Sequence, residues 1–426
     1  EIAVGFCGEG DAGIAQVGWL CAANKGFGRW RHGVDHVPSF LWGRPQRPPK
    51  VAMGAAPKDV TEIDAGGHPV VVGADALHAF HRRTAAWDVS RYFVLGDVNT
   101  LRHCLPELLA HVPALREAET IAVPAGEKSK SLGVCQDIWS HLTEHAADRD
   151  TVLVNLGGGV VTDLGGFIAA TFKRGIRCVH LPTTLMGMVD ASIGGKTGVD
   201  LAGVKNMVGV FHDPLAVFVH MPFLKSLGKR DLLNGVAEMI KHGLVRDATH
   251  WDAIREAPLH DLGALRSLVH RSAAIKAEVV KSDPRDRGPR KALNFGHTIG
   301  HGVEAHSWES SHRALLHGEA VAIGMVCEAW LSWRLDLLDR ESNDRIAAHL
   351  LGLYKPYRFD GAENHRIIEL MRNDKKNAHG TFRLSLLTGI GSAKVDVPIS
   401  AAQVQEALEH YRLLVRDAHV RHDPQA

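Results

Sequence analysis

The stretch NLGGGVVTDLGGFIAATFKRG, residues 155–175, decides how the first half of this chain folds. Before it, TVLV (151–154) is a β-branched, apolar run that reads as a buried strand. The strand runs into Gly157, Gly158 and Gly159, and Val160, Val161, Leu164, Ile168 and Thr171 then fall along one side of a helix. Three consecutive glycines allow a backbone to approach a ligand closely, and the free N–H groups of a helix start suit a phosphate. Asp163, one turn into the helix, adds a carboxylate at the same place.

Reading outward, HPVVVG (68–73), RYFVLGD (91–97), ETIAVPAG (119–126) and RCVHLPTT (177–184) repeat the short-strand pattern. LRHCLPELLAHV (101–112) and SLGVCQDIWSHLTEHA (131–146) lie between them with helical spacing. The alternation predicts a mainly parallel sheet covered by helices, with ligands beyond the carboxyl ends of the strands. Asp97 closes one such strand, where its carboxylate suits either ribose hydroxyls or a helix N-cap. PTTLMGMVDASIGGKTGVDLAGVKNMVG (182–209) reads as a Gly-rich loop in which Asp190, Lys196, Lys205 and Asn206 suit anion binding.

From about Gly228 the pattern turns helical. RDLLNGVAEMIKHGLV (230–245) sets Glu238 and Lys241 on one face, at i and i+3, beside an apolar stripe. In RKALNFGHTIGHGVEAHS (290–307), His297 and His301 are i and i+4, and His317 opens the next helical stretch. Two histidines and a glutamate with an open position make a catalytic zinc set, although spacing alone leaves open which two of the three histidines ligate. The other histidines are read as surface residues.

Composition narrows the class. The chain has 426 residues with a net charge of +1, which argues against bulk electrostatic attachment to nucleic acid. Six cysteines with no CxxC pair exclude a disulfide scaffold and fit a reducing, cytoplasmic setting. No uninterrupted apolar run has membrane-spanning length. Residues 1–52 differ from the rest, with no methionine before Met53 and five prolines between Pro38 and Pro57. Gly8, Gly10 and Gly13 match the dinucleotide G-x-G-x-x-G spacing, but GFGRWRHGVD before Asp35 does not read as the second strand such a site needs. Translation is expected to begin near Met53, with residues 1–52 an upstream or disordered extension.

From Met53 to about residue 412 the chain resembles the 3-dehydroquinate synthase family of sugar-phosphate cyclases. The motifs are GEKSK, GGGVVTDLGGFIAATFKRG, PTTLMGMVDASIGGKTGVD, KNMVG, GVAEMIKHG, IKAEVV, RKALNFGHTIGH, LLHGEAVAIGM and MRNDKKNAHG, in that order. The resemblance implies a Rossmann-like NAD-binding α/β domain over 53–228 and a mainly helical metal- and substrate-binding domain over 229–426. It implies a divalent metal, zinc with cobalt as the other candidate, held by Glu238, His297 and His317. NAD would be held by Asp97, Asn99, Glu127, Lys130, Gly157, Gly158, Gly159, Asp163, Thr183 and Thr184, with Lys196 and Lys205 at its edge. The substrate cage would be Asp190, Lys196, Lys205, Asn206, Lys241, Lys276, Arg290, Asn294, His301 and Lys375, with Lys376 the competing assignment in the DKK tract. Arg174 would reach the phosphate bound by a neighbouring subunit, implying a homodimer with neither nucleic-acid nor membrane partners.

The reaction so implied eliminates phosphate from 3-deoxy-D-arabino-heptulosonate 7-phosphate and closes a carbocycle, in the shikimate pathway to aromatic amino acids. Cyclases of the valiolone or deoxy-inosose type act on substrates without a carboxylate, whereas Lys276 and Arg290 stand at the positions assigned to one. A metal-dependent polyol dehydrogenase is a more distant alternative, separable because it would release NADH in net amounts.

Overall fold

In the computed structural model, residues 59–201, 204–310, 313–372 and 381–422 are described, with side chains described to residue 416. Residues 1–58, including the glycine triplet at 8–13, lie outside them, and so do Lys375 and Lys376.

β-branched and leucine-rich runs, with proline only at the first residue of one strand and the last of another, make a seven-stranded sheet. Its strands are β1 (Val60–Asp64), β2 (Pro69–Gly73), β3 (Tyr92–Asp97), β4 (Glu119–Val123), β5 (Val152–Gly157), β6 (Arg177–Pro182) and, after the β7–β8 hairpin, β9 (Val217–Val219). The order is β1-β2-β9-β6-β5-β3-β4. Only the β1–β2 pair of this sheet is antiparallel. All six residues of β5 are buried, as expected of a central strand covered on both faces. The predicted α/β order therefore holds. β1 and β9 were not expected from sequence, because one is a half-exposed edge strand and the other has three residues.

Three further differences have physical causes. The Gly-rich stretch at 182–209 is not simply a loop, for it carries an antiparallel hairpin, β7 (Lys196–Leu201) with β8 (Val204–Phe211). Its glycines permit close approach, since a Cβ on Gly198 would lie 2.8 Å from the Val208 carbonyl oxygen. The helical stretch at 101–112 is two helices, Val98–His103 and Leu105–His111, the second carrying Pro106 in its first turn, where a missing N–H breaks no helical hydrogen bond. The second half is helical except for a hairpin, β10 (Thr381–Gly389) with β11 (Ser392–Ser400), which FRLSLL announces by alternation.

Two helices form the centre of the second half. In Lys229–Arg246 every residue from Gly235 to Val245 is buried, and in His317–Arg334 every residue from Gly318 to Ser332. Helices buried on every side lie in a core, so the polar side chains they carry there need partners. Among the described residues no helix is long and apolar enough to cross a membrane. Cys104, Cys135, Cys178 and Cys327 are buried free thiols.

Candidate active site

The chain leaves β3 toward β4 on one side and returns to β5 on the other, so the switch point of the sheet lies between the carboxyl ends of β3 and β5. Asp97 ends β3 and the 157–159 glycines follow β5. Asp97 caps the Val98–His103 helix, its Oδ1 accepting from the N–H groups of Asn99 at 2.8 Å and Thr100 at 3.0 Å. A Cβ on Gly157 would lie 2.5 Å from Val161, and one on Gly158 would lie 2.9 Å from Thr184. The glycines thus bring the start of the Gly159–Thr171 helix close to β5 and to the loop after β6. Thr183 is buried in that loop, and its hydroxyl has no hydrogen-bond partner, as a group awaiting a ligand would be. This is a cradle suited to a dinucleotide phosphate.

Beside it, the Lys130 ammonium donates to Asp163 at 2.6 Å and to Asn206 at 2.5 Å, with Glu127 at 3.9 Å. Burial works against the Lys130 cation, but Asp163 and Glu127 hold its pKa above the ordinary value. Lys205 on β8 reaches Glu304 at 2.8 Å and Glu127 at 3.7 Å, tying the glycine-turn side of the site to the helical side. Lys196 is half exposed and pairs with Asp286 at 2.6 Å, on the rim.

Asp190, on a single π-helical turn (Gly187–Ala191), is the hub of the cation cage. Its Oδ1 lies 2.7 Å from Lys276 Nζ, 3.5 Å from Lys241 Nζ and 3.3 Å from His242 Nε2. Burial opposes its charge, yet the two lysines hold the carboxyl well below the usual range. Lys276 is pushed down to about 8, chiefly by burial, with Asp190 pulling the other way. Arg290 is buried, donating to the carbonyls of Pro284 at 2.9 Å and Gly194 at 3.1 Å. Asn294 ends the short helical turn Pro289–Asn294 that carries Arg290.

Glu238 is fully buried and ion-paired with Lys241. Its Oε1 lies 3.4 Å from His297 Nε2 and 3.7 Å from His317 Nε2. A tetrahedral ion with bonds of about 2.0–2.1 Å keeps its ligand atoms roughly 3.4 Å apart, so both separations from Glu238 suit a zinc-like ion, and His297, His301 and His317 also bring one ring nitrogen each within 4.8 Å of one another. The remaining ring nitrogens are tied back. His297 Nδ1 faces the Phe295 carbonyl at 3.2 Å, and His317 Nδ1 faces Glu304 Oε2 at 3.2 Å. A carbonyl oxygen can only accept, so His297 carries its proton on Nδ1 and turns a lone pair toward Glu238. Burial pushes His297 down to about 4, keeping it neutral as a ligand must be. His301 completes the group, its ring 5.4 Å from that of His297 and 5.6 Å from that of His317.

Sequence reasoning missed the residues that aim these ligands. The Gly296 N-cap has no side chain, and its φ of 78° suits glycine. Glu328, from the facing helix, caps in its place, accepting from the N–H of Gly296 at 2.6 Å and of Ile299 at 3.2 Å. A Cβ on Gly324 would lie 1.9 Å from the Gly296 oxygen, so Gly324 permits that approach. Asn234 likewise accepts from the Gly318 N–H at 2.6 Å, at the start of the His317 helix. Glu304 was missed too, although it sits one turn after His301.

One expectation is corrected. The other histidines are not all on the surface, for His68, His180, His220, His242, His250 and His306 are buried. Each has a polar neighbour, such as Glu107 for His220 and Ser272 for His250, which makes burial tolerable. Burial drives His180 down to about 3 and His250 to about 4, so both are neutral.

Arg174 is not brought to this site. It is exposed, at a φ of 69°, just before β6, at the opposite end of the sheet from the switch point.

Comparison with known proteins identifies the family. Residues 120–234 match the family model described as 3-dehydroquinate synthase N-terminal, and residues 235–377 match 3-dehydroquinate synthase C-terminal. A 3-dehydroquinate synthase from Parabacteroides distasonis is 41% identical over 345 residues, 80% of this chain and 97% of that protein. One from Xanthomonas axonopodis pv. citri is 42% identical over 358 residues, 82% of this chain and 97% of that one. Among solved structures, a 2-epi-5-epi-valiolone synthase from Streptomyces hygroscopicus subsp. jinggangensis with NAD+ and Zn2+ bound superposes with a TM-score of 0.72 at 27% identity, covering 85% of this chain and 99% of that one. With two family models meeting end to end at residues 234 and 235, and relatives about 40% identical over most of the chain, this chain belongs to the 3-dehydroquinate synthase family.

Proposed function

We propose that this enzyme converts 3-deoxy-D-arabino-heptulosonate 7-phosphate to 3-dehydroquinate and phosphate, as an NAD- and metal-dependent lyase of aromatic amino acid biosynthesis. The observation that carries the reading is the buried cation cage, Lys241, Lys276 and Arg290 around Asp190, set directly against the Glu238–His297–His317 donors. A substrate carrying both a carboxylate and a phosphate accounts for so many buried cations in a nearly neutral chain.

When bound, NAD would take a hydride from the C5 position and return it within the turnover, and the divalent metal, Zn or Co, would polarise the C5 oxygen. The chain does the rest by positioning. Glu238, His297 and His317 would hold the metal, and Thr183, Thr184 and the 157–159 turn would hold the dinucleotide. Lys276 and Arg290 would grip the carboxylate, while Asp190 keeps Lys241 and Lys276 in place between turnovers. Asn294 and His301 would contact the ring hydroxyls, and Lys196, Lys205 and Asn206 the phosphate end. Lys375, if it joins them, does so from a segment outside the described residues. Burial of the cage excludes the water that would quench a reactive intermediate.

We also infer a homodimer in which Arg174 serves the partner's phosphate site. Its support is Arg174's position, exposed and at the far end of its own sheet. The free buried cysteines suit a reducing cytoplasm.

The test supplies NAD+, Zn2+ and the heptulosonate phosphate and follows phosphate release together with absorbance at the NADH wavelength. Phosphate release with no net NADH is expected. No phosphate release, or accumulating NADH, overturns the reading, the second outcome in favour of a polyol dehydrogenase.

A further inference from the structure

A second His–His–Glu group lies far from the site just described. The helix Leu132–Glu144 presents His141 in its last turn and ends on His145, one turn further on. Their rings lie 4.1 Å apart and tilted by only 31°. Glu119, the first residue of edge strand β4, turns its carboxylate between them, with Oε1 3.8 Å from His141 Nε2 and 3.7 Å from His145 Nε2. One donor atom from each of the three lies within 4.8 Å of the others. β3, β4 and β5 run parallel, so the amino end of β4 is at the opposite end of the sheet from Asp97 and the 157–159 turn.

We propose that Glu119, His141 and His145 form a second divalent-metal site, suited to zinc, cobalt or nickel rather than to magnesium or calcium. Two imidazoles and one carboxylate are a borderline-soft donor set, and hard cations prefer oxygen alone. One of the two histidines is oriented as His297 is in the interior triad. His145 Nδ1 lies 2.9 Å from the His141 carbonyl, which can only accept, so the proton sits on Nδ1 and Nε2 keeps its lone pair for a metal. Burial lowers the pKa of His141, which favours its neutral form as well. The helix also ends here, and the negative end of its dipole favours a cation. Glu119 is 41% exposed, so the ion would keep open positions for water and exchange readily. Bound, it would tie the end of the 132–144 helix to the edge of the sheet.

The experiment uses the full chain stripped by a chelator and dialysed against Zn2+, with bound zinc counted per chain. The proteins compared are the wild type, His145→Ala, His297→Ala and the double variant. His297→Ala removes the interior ion, so the second site is read by itself and stands or falls separately from the proposed activity. One zinc fewer is expected in the double variant than in His297→Ala, with at least tenfold weaker residual binding. Equal zinc in those two proteins overturns the proposal. If His145→Ala fails to fold, Glu119→Gln on the exposed strand edge replaces it. At least tenfold weaker zinc binding is again expected, and unchanged binding overturns the site.

Discussion

Two groups, each of two histidines and a glutamate at nearly the same donor separations, lie in different parts of the molecule, one among the helices of the second half and one at the amino end of β4. In the interior group Glu238 stands 3.4 and 3.7 Å from two imidazole nitrogens, and in the peripheral group Glu119 stands 3.8 and 3.7 Å from two. Donor geometry therefore does not distinguish them. Their surroundings do. Glu238 is fully buried beside Lys241, with Asp190, Lys276 and Arg290 behind it, while Glu119 is open to water. A metal in the interior would act in a low-dielectric pocket with fixed charges aimed at a substrate. A metal at the edge would at most clamp two elements together.

The largest effect that separates the two groups is expected at the interior triad. His297→Ala should remove the interior zinc and lower kcat/KM by about a thousandfold or more, because loss of Lewis-acid polarisation costs several kcal/mol. Metal analysis and phosphate-release kinetics on the same sample check both. Arg290→Ala should raise KM by about 10–100-fold, the worth of one charge-assisted hydrogen bond to a carboxylate. Steady-state kinetics reads it, and an unchanged KM would remove Arg290 from the cage.

Glu304→Gln should weaken interior zinc about tenfold or more, since carboxylates behind ligating histidines are typically worth that much. Competition with a chromogenic chelator measures it, and zinc at the edge group should be retained. A pH profile divides the groups further, because only the interior one is fenced by a depressed lysine. Lys276 titrates at about 8, below the ordinary lysine value, so its cation is lost as the pH rises through 8. KM should climb above pH 8, by up to about tenfold per unit.

The smallest effect is at the edge. With the interior site already emptied in His297→Ala, saturating Zn2+ should still raise Tm by on the order of 2 °C, and His145→Ala should abolish that rise. Differential scanning calorimetry resolves the difference.

The candidate residues of the interior group are legible in the amino-acid sequence, although spacing leaves open which two of the three histidines join Glu238. His297 and His301 at i,i+4, His317 at a helix start, and Glu238 with Lys241 at i,i+3 are local spacings, and helix geometry turns local spacing into a shared face. The strand pattern is legible for the same reason, because alternating and β-branched runs report burial residue by residue. Glu328 and Asn234 are not legible. Each caps a helix other than its own, and such a contact leaves no mark in the spacing of either segment. The peripheral triad shows the division within one site. His141 and His145 are visible as a pair, but Glu119 joins them only when β4 packs against their helix.

Propensity and period within a few residues set most of the elements, their order and the family's motifs, so all of these are written locally along the chain. The sheet order, the pairing of β7 with β8 and the burial of six histidines read as exposed are not written there. Each of these depends on which distant segment arrives to desolvate, pair or cap a group. That is set by packing of the whole chain, in which residues far apart in sequence compete for the same buried space.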